Sequence, residues 1–342
     1  MGATLIAIDL AKETFQLHAV DEKGRCLYRK TVKRRELAAF IQNTPPCIVA
    51  MEACAGSNYW AQIFRAMGHT PKLIAAQYVK PFVKSQKNDR NDAEGIGEAA
   101  MRPSMRFVAV KESWQQDMQT LHRVRDRLKK EKTALDNQTR GILLEFGITI
   151  PEGIAQFKKR IPEILEDDKN GLSLSMRALV RDQYDEFLDM EKRKTKYDVM
   201  IEKLSKDHLE CSRLMAIPGV GPLISTAFVS ALGDPHHFKN GRQVSAWLGL
   251  VPRQYSTGGK TRLGAITKRG DCYLRALVVH GSRSCVTQIM RRQGKDPFSQ
   301  RVLKLVETRG INKAVIAVAN RNTRVMWALL KSKTDYRTIE AN

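Results

Sequence analysis

Two short apolar runs in the first 52 residues each end on a carboxylate. Thr4-Leu5-Ile6-Ala7-Ile8 leads into Asp9, and Cys47-Ile48-Val49-Ala50-Met51 leads into Glu52. Runs this short, apolar and branched read as buried strands. An acid at the end of a buried strand is costly unless something positive meets it. Two more acids, Asp89 and Asp92, stand three apart in Lys87-Asn88-Asp89-Arg90-Asn91-Asp92. The chain must therefore fold so that a cation and these carboxylates meet.

The strands around them form a pattern. Phe15, Leu17 and Ala19 alternate with polar residues, and Asp21-Glu22-Lys23-Gly24 reads as a hairpin turn. Cys26–Val32 is a third strand. A helix is expected over Arg35–Gln42, a central strand over Ile48–Glu52 and a helix over Tyr59–Met67. A short strand is expected over Pro71–Ala75 and a helix over Asp92–Met101. Three antiparallel strands followed by alternating strands and helices make a mixed α/β sheet, in the order used by ribonuclease-H-like nucleases. From Trp114 the pattern becomes helical. Leu121, Leu128, Leu135 and Ile142 recur every seven residues, as do Met190, Tyr197 and Leu204 in a second stretch from Leu172 to Ser205. Sevens are the signature of a coiled-coil seam, with Gly147–Gly171 as the connection. Three regions are expected: 1–112, a helical arm over 113–208, and a basic, mainly helical region over 209–342.

Charge sharpens this division. The 342 residues carry 58 Lys and Arg against 36 Asp and Glu, a net charge of +22. Residues 211–342 hold 22 of the basic and only 6 of the acidic residues. Such a balance calls for a polyanion, DNA or RNA before others. Six cysteines without CxxC spacing read as reduced thiols rather than a zinc framework. With no signal-like opening and no apolar run near 18 residues, a soluble intracellular protein without a membrane partner is expected.

Four carboxylates suit a hard divalent cation, Mg²⁺ or Mn²⁺, and two such ions can activate the attacking oxygen and stabilise the leaving oxygen of a phosphodiester. Asp9 and Glu52 are expected to meet across adjacent strands, and Asp89 and Asp92 to share a helix face. The plain alternative makes the second pair helix caps. Leu5–Lys12 also looks like the first phosphate motif of actin-like sugar kinases, but their later Gly-rich loops are missing. In the basic region, Ile217-Pro218-Gly219-Val220-Gly221-Pro222 joins two apolar helical stretches. It is the helix-hairpin-helix pattern, in which Gly219 and Gly221 would let backbone N–H groups meet a phosphate. Pro252–Gly264 offers Ser256 and Thr257, then Gly258 and Gly259, among Arg253, Lys260, Arg262, Lys268 and Arg269. Glycines allow close approach to a phosphate, cations neutralise it, and a hydroxyl there can attack phosphorus. A flexible phosphate-binding loop without covalent chemistry is the alternative. Arg275 and later arginines are placed to track a nucleic-acid backbone, and Trp247 reads as core.

Three blocks in order carry a resemblance: Ile8–Lys12 with Met51–Cys54 and Lys87–Glu94; Ile217–Pro222; and Leu248–Gln254 through Ser256–Lys260 to Lys268–Asp271. The chain resembles the DEDD transposases of the insertion-sequence 110 family, its 1111 subgroup most closely. The resemblance implies a Holliday-junction-resolvase-like (ribonuclease-H-fold) first domain with Asp9, Glu52, Asp89 and Asp92 as metal site. It also implies a coiled-coil middle and a C-terminal transposase domain whose serine, Ser256 by position with Thr257 as alternative, attacks DNA and links to it. Lys12, Lys87 and Arg90, beside the acids, are expected to meet nucleic acid. The implied function is cutting and rejoining donor and target DNA under a non-coding bridge or seeker RNA from the same element. It would be carried out by a homodimer or homotetramer in the bacterial cytosol or nucleoid. A junction-resolving endonuclease using metal-activated water is the competing activity.

Overall fold

In the computed structural model, which describes residues 2–83 and 89–337, the chain opens with β1 (Leu5–Asp9), β2 (Thr14–Val20) and β3 (Cys26–Lys33). It continues with α1 (Arg34–Gln42), β4 (Ile48–Glu52), α2 (Ser57–Ala66), β5 (Thr70–Ile74), α3 (Ala76–Val79), α4 (Asp89–Ala100) and β6 (Phe107–Val108). These six strands form one mixed sheet in the order β3-β2-β1-β4-β5-β6. β1 pairs antiparallel with β2 and parallel with β4, and β4 pairs parallel with β5. The mixed α/β sheet expected from the sequence is present. The two-residue edge strand β6 is too short for any periodicity to announce it.

Strand alternation sorts the core into two layers. Ile6, Ile8, Val49 and Met51 face Leu37, Ile41, Trp60 and Phe64 of α1 and α2. Leu5, Ala7, Ala50 and Ile74 face Ile96 and Ala99 of α4. Each fully buried Ile, Leu or Phe here contributes about 1.5–3 kcal/mol. α4 lies close on the sheet because it carries glycine at the contact. A Cβ on Gly97 would sit 3.4 Å from the Cβ of Ala7, and one on Gly95 only 2.9 Å from Val83.

The remaining elements are α5 (Ser113–Leu144), α6 (Ile154–Glu166), α7 (Leu174–Asp207), α8 (Leu209–Met215), α9 (Pro222–Leu232) and α10 (Gly241–Trp247). After them come β7 (Pro252–Thr257), β8 (Lys260–Ile266), α11 (Cys272–Arg292), α12 (Pro297–Arg309) and α13 (Ile311–Ser332). The chain divides into two compact units, Met1–Ser113 with Leu232–His237, and Trp114–Ala231 with Phe238–Asn342. The second is mostly helical. Among the described residues no helix is long and apolar enough to cross a membrane.

Two features of the second unit differ from the sequence reading. The connection 147–171 contains α6, with Pro162 inside it. Proline has no N–H to give the carbonyl four residues back, and the Tyr184 hydroxyl donates to that Lys158 carbonyl at 3.1 Å instead. Arg177 then donates to the carbonyls of Ile164, Leu165 and Asp167, satisfying the acceptors that a helix C-terminus leaves open. The second feature is the seam of sevens. Leu128 and Leu135 are buried as expected, but polar residues are buried beside them, also seven apart. Arg125 pairs with Asp198, Lys132 with Glu191 at 3.3 Å, and Thr139 donates to Gln183 at 2.7 Å. The partner numbers fall as the α5 numbers rise, so α7 runs antiparallel to α5. A buried ion pair adds little net stability, but losing one partner is costly. The ladder thus fixes which turn of α5 meets which turn of α7.

Candidate catalytic carboxylates and the hydroxyl hairpin

The acids follow from the register. Ile8 pairs with Met51 in the parallel β1–β4 ladder, so the next residues, Asp9 and Glu52, stand side by side at the strand ends. Neighbouring strands lie about 4.8 Å apart. Alternation puts both on the face of Leu5, Ala7 and Ala50, the α4 face. Both are half-buried. Their proximity registers on Cys54, whose thiol is pushed up by burial and then by the charges of Glu52 and Asp9.

α4 brings the second acid pair to the same end. Its Gly97 lies over Ala7, while Met101, just past its end, touches Gly24 in the β2–β3 turn. That turn is at the opposite end of β1 from Asp9, so α4 runs antiparallel to β1. Five residues of helix back from Gly97 is about 7.5 Å, and two residues of strand from Ala7 to Asp9 about 6.6 Å. Asp92 therefore comes level with Asp9. Asp89 opens the helix, its side chain lying outside the described residues, as does all of Lys87. Lys12 and Arg90 are exposed. Among the described residues no group of three or more His, Cys, Asp or Glu side chains stands close enough to hold a metal ion. The pair Asp9 and Glu52 supplies adjacent hard oxygen donors, the set a hard divalent ion takes, and Cys54 beside them is held in its neutral form.

Ser256 and Thr257 belong to the second unit, on a two-stranded antiparallel hairpin rather than a loop. Gly258 and Gly259 form its turn with φ of +56° and +77°, the double positive φ of a type I′ turn. Side chains on β7 and β8 are almost all exposed, so period-2 burial had no apolar face to display. Ser256 pairs with Thr261, Thr257 with Lys260 and Tyr255 with Arg262. Directly paired residues share a face. Ser256 thus shares a face with Thr261, and its Oγ accepts from Gln254 Nε2 at 2.8 Å. Lys260 and Arg262 lie on the face of Thr257.

What holds the hairpin is its base. A Cβ on Gly249 would fall 2.3 Å from the Arg269 carbonyl oxygen, and one on Gly270 2.1 Å from that of Trp247. The two glycine-bearing segments therefore cross at backbone contact. Lys268 takes φ +55° there. Arg275 donates to the Arg269 and Leu248 carbonyls at 2.7 and 3.2 Å, so its guanidinium clamps this crossing, a role sequence spacing had not suggested. Arg253 is exposed and Arg269 lies at the crossing. Gly219 and Gly221 form the turn between α8 and α9. Gly219 has φ +84°, and a Cβ there would lie 2.7 Å from the Gly281 carbonyl oxygen of α11, so this turn is packed on α11. Trp247 is half-buried, edge-on to Phe238 at 5.7 Å.

A mixed sheet with carboxylates at adjacent parallel strand ends, and an acid-bearing helix across them, is compatible with the DEDD nuclease class. Comparison with known proteins identifies the branch. Residues 6–148 match the DEDD transposase profile of the IS110 type, and residues 211–297 match the profile described as "Transposase IS116/IS110/IS902 family". A "Probable family 20 transposase" from Pseudomonas aeruginosa is 44% identical over 98% of this chain and 99% of its own. The "Transposase for insertion sequence element IS1111A" of Coxiella burnetii is 41% identical over 97% and 91%. That for IS1328 of Yersinia enterocolitica is 39% identical over 97% and 98%. The chain belongs to the IS110/IS116 family of DEDD transposases, enzymes that cut DNA and transfer its strands. The family is generally dependent on a divalent metal.

Proposed function

We propose that this transposase is an RNA-guided recombinase in which a ribonuclease-H-like acid site and a hydroxyl of the hairpin act together on DNA. The observation that carries the reading is the parallel β1–β4 register, which aligns Asp9 with Glu52 on the face that α4 covers. Asp9, Glu52 and Asp92, with Asp89, would hold Mg²⁺, which when bound activates an attacking oxygen and stabilises a leaving one. Ser256 Oγ attacks the phosphorus of one strand. The O–P bond forms as the bond to the strand's leaving oxygen breaks, and that oxygen takes up the proton the serine gives up. A strand hydroxyl attacking the phosphoserine reverses the exchange and rejoins DNA. One observation favours Thr257 as second reading: Lys260 and Arg262, the cations best placed to meet the phosphate, share its face.

In this reading the parts divide at 1–112, 113–208 and 209–342. α5 and α7 would serve as the coiled-coil arm of a homodimer or homotetramer that brings acid and hydroxyl sites together. The α8–α9 turn would act as a helix-hairpin-helix contact to the backbone, with Arg253, Lys260, Arg262, Lys268 and Arg269 neutralising phosphates. The guide RNA rests on the family resemblance and on a net charge of +22, able to hold RNA and DNA together.

The test has two parts. The chain, expressed with the DNA flanking its gene, should co-purify with one discrete RNA of that origin; only heterogeneous, salt-removable RNA would overturn the guidance. With RNA and DNA supplied, a covalent protein–DNA adduct should form and vanish in Ser256→Ala while persisting in Thr257→Ala. The reverse pattern makes Thr257 the nucleophile. Cleavage with no adduct in the unaltered protein would make the enzyme a junction-type hydrolase instead.

A further inference from the structure

A cleft of about 740 Å³ opens in the first unit, on the α1–α2 face of the sheet. It is distinct from the acid site, which lies on the α4 face at the strand ends. Its volume is in the range of small-ligand pockets, and its lining mixes cations with aromatic and aliphatic side chains. Lys33, Arg34 and Arg35 follow one another along the β3–α1 junction, and Tyr59 and Trp60 come from the first turn of α2. Among the described residues Glu13 is the one acid lining it.

The aromatic pair divides its labour. Trp60 is core, 4% exposed, and stacks on Phe64. Tyr59 is turned outward, 54% exposed, and meets Trp60 edge-on at 5.2 Å. Helical spacing gives the reason: Ser57, Trp60, Ala61 and Phe64 make the buried stripe of α2, and position 59 falls outside it. The cations divide in the same way. The Arg34 guanidinium lies 5.5 Å from the Trp60 ring centroid and donates to the Lys12 carbonyl at 3.2 Å, so it is a fixed part of the wall. Lys33 and Arg35 are exposed, and Arg35 makes a long contact to exposed Glu36 at 3.4 Å. An outward aromatic ring beside exposed cations, in an open cleft of a strongly basic chain, is what a flexible polyanion with flat bases requires.

We propose that this cleft binds one unpaired nucleotide of a single-stranded nucleic acid, with its base stacked on Tyr59 and its flanking phosphates on Lys33 and Arg35. Duplex DNA keeps its bases stacked inside and offers no free face to Tyr59, so the cleft selects for unpaired strand. DNA and RNA share the chemistry named here. The proposal goes beyond the transposition reading and does not depend on it, because binding can be measured without chemistry.

The experiment uses the full chain carrying Asp9→Asn, without divalent metal, and fluorescence anisotropy of labelled dT and U oligonucleotides of about 12 nucleotides, a length within known single-strand site sizes. A duplex of the same length is the control. Tyr59→Ala should weaken single-strand binding about tenfold, the effect of losing one stacked base, while Tyr59→Phe keeps it and duplex affinity is unchanged. Lys33→Ala and Arg35→Ala should each lower the salt slope by about 0.7. Whichever of dT and U depends more strongly on Tyr59 identifies the strand as DNA or RNA. Unchanged binding of both oligonucleotides by Tyr59→Ala, or an equal loss on the duplex, would overturn the proposal. Strand cleavage assayed separately in Tyr59→Phe and the otherwise unaltered chain reports on the acid site, so the two readings fail independently.

Discussion

The acid end of the sheet and the hydroxyl hairpin place their polar side chains by opposite means. Asp9 and Glu52 sit where they do because two layers of buried side chains fix the β1–β4 register, and a slip by one residue would turn both faces inside out. Ser256 and Thr257 sit on strands with almost no buried side chain, held by a type I′ turn at one end and a glycine crossing at the other. In the first region the core determines where the carboxylates stand. In the second a few backbone contacts do, and the side chains on both faces are left exposed to a ligand.

The largest effect should break the first region without unfolding it. Asp9→Asn or Glu52→Gln should lower DNA cleavage more than about a hundredfold, beyond what losing a supporting partner of a metal ligand costs. The melting temperature should hold or rise, because two neighbouring like charges become one. Cleavage on a supercoiled substrate and a thermal melt would check it, and a collapsed melt would mean the carboxylates are structural. Next, glycines sharpen the contrast inside the second region. Gly219→Ala puts a Cβ 2.7 Å from the Gly281 carbonyl oxygen at φ +84° and should cost about 2–4 kcal/mol in urea unfolding. Gly258→Ala, with open space around it, should cost only the backbone strain, about 1–2 kcal/mol, and leave the base crossing intact.

A further comparison concerns pH. His122 is buried between the Tyr273 hydroxyl at 2.8 Å and the Thr226 hydroxyl at 2.9 Å. Burial, then the nearby Arg125 charge, bring it down to about 4 from 6.5. The folded state thus prefers the neutral ring and the unfolded chain binds the proton more readily. Stability from this group is complete above pH 6.5 and is lost as pH falls toward 4, by at most about 3 kcal/mol. Urea melts across that window should show the slope, and His122→Phe should flatten it at lower overall stability. A slope unchanged by the substitution would place the pH dependence elsewhere.

Much of the first region was legible because its signals are local. The expected strand over Ile48–Glu52 is β4 residue for residue, and the α1 and α2 helices fall within two residues of expectation, each set by a short apolar period. The hairpin of β7 and β8 gives no strand signal, because no apolar face exists to alternate. α6 carries no clear sequence signal because Pro162 argues against a helix, and Tyr184, from another helix, offsets the missing donor. The seam of sevens was read from its leucines; the polar ladder beside it was invisible until Asp198 and Glu191 were known to lie opposite Arg125 and Lys132. Tyr59 carried no signal either, since one aromatic at a helix start reads as core.

The sequence by itself determined β1 to β5, the helices α1, α2 and α4, the long helical stretches and the basic character, and it marked four acids as candidates. Burial periodicity, charge and residue chemistry are written along the chain. Only the tertiary structure decided that Asp9 stands beside Glu52, that α4 runs back over β1 to bring Asp92 level with them, and that Ser256 and Thr257 face opposite ways. Those facts depend on which residue of one segment pairs with which of another. That register is chosen by the joint packing of distant side chains, and no window of sequence contains it.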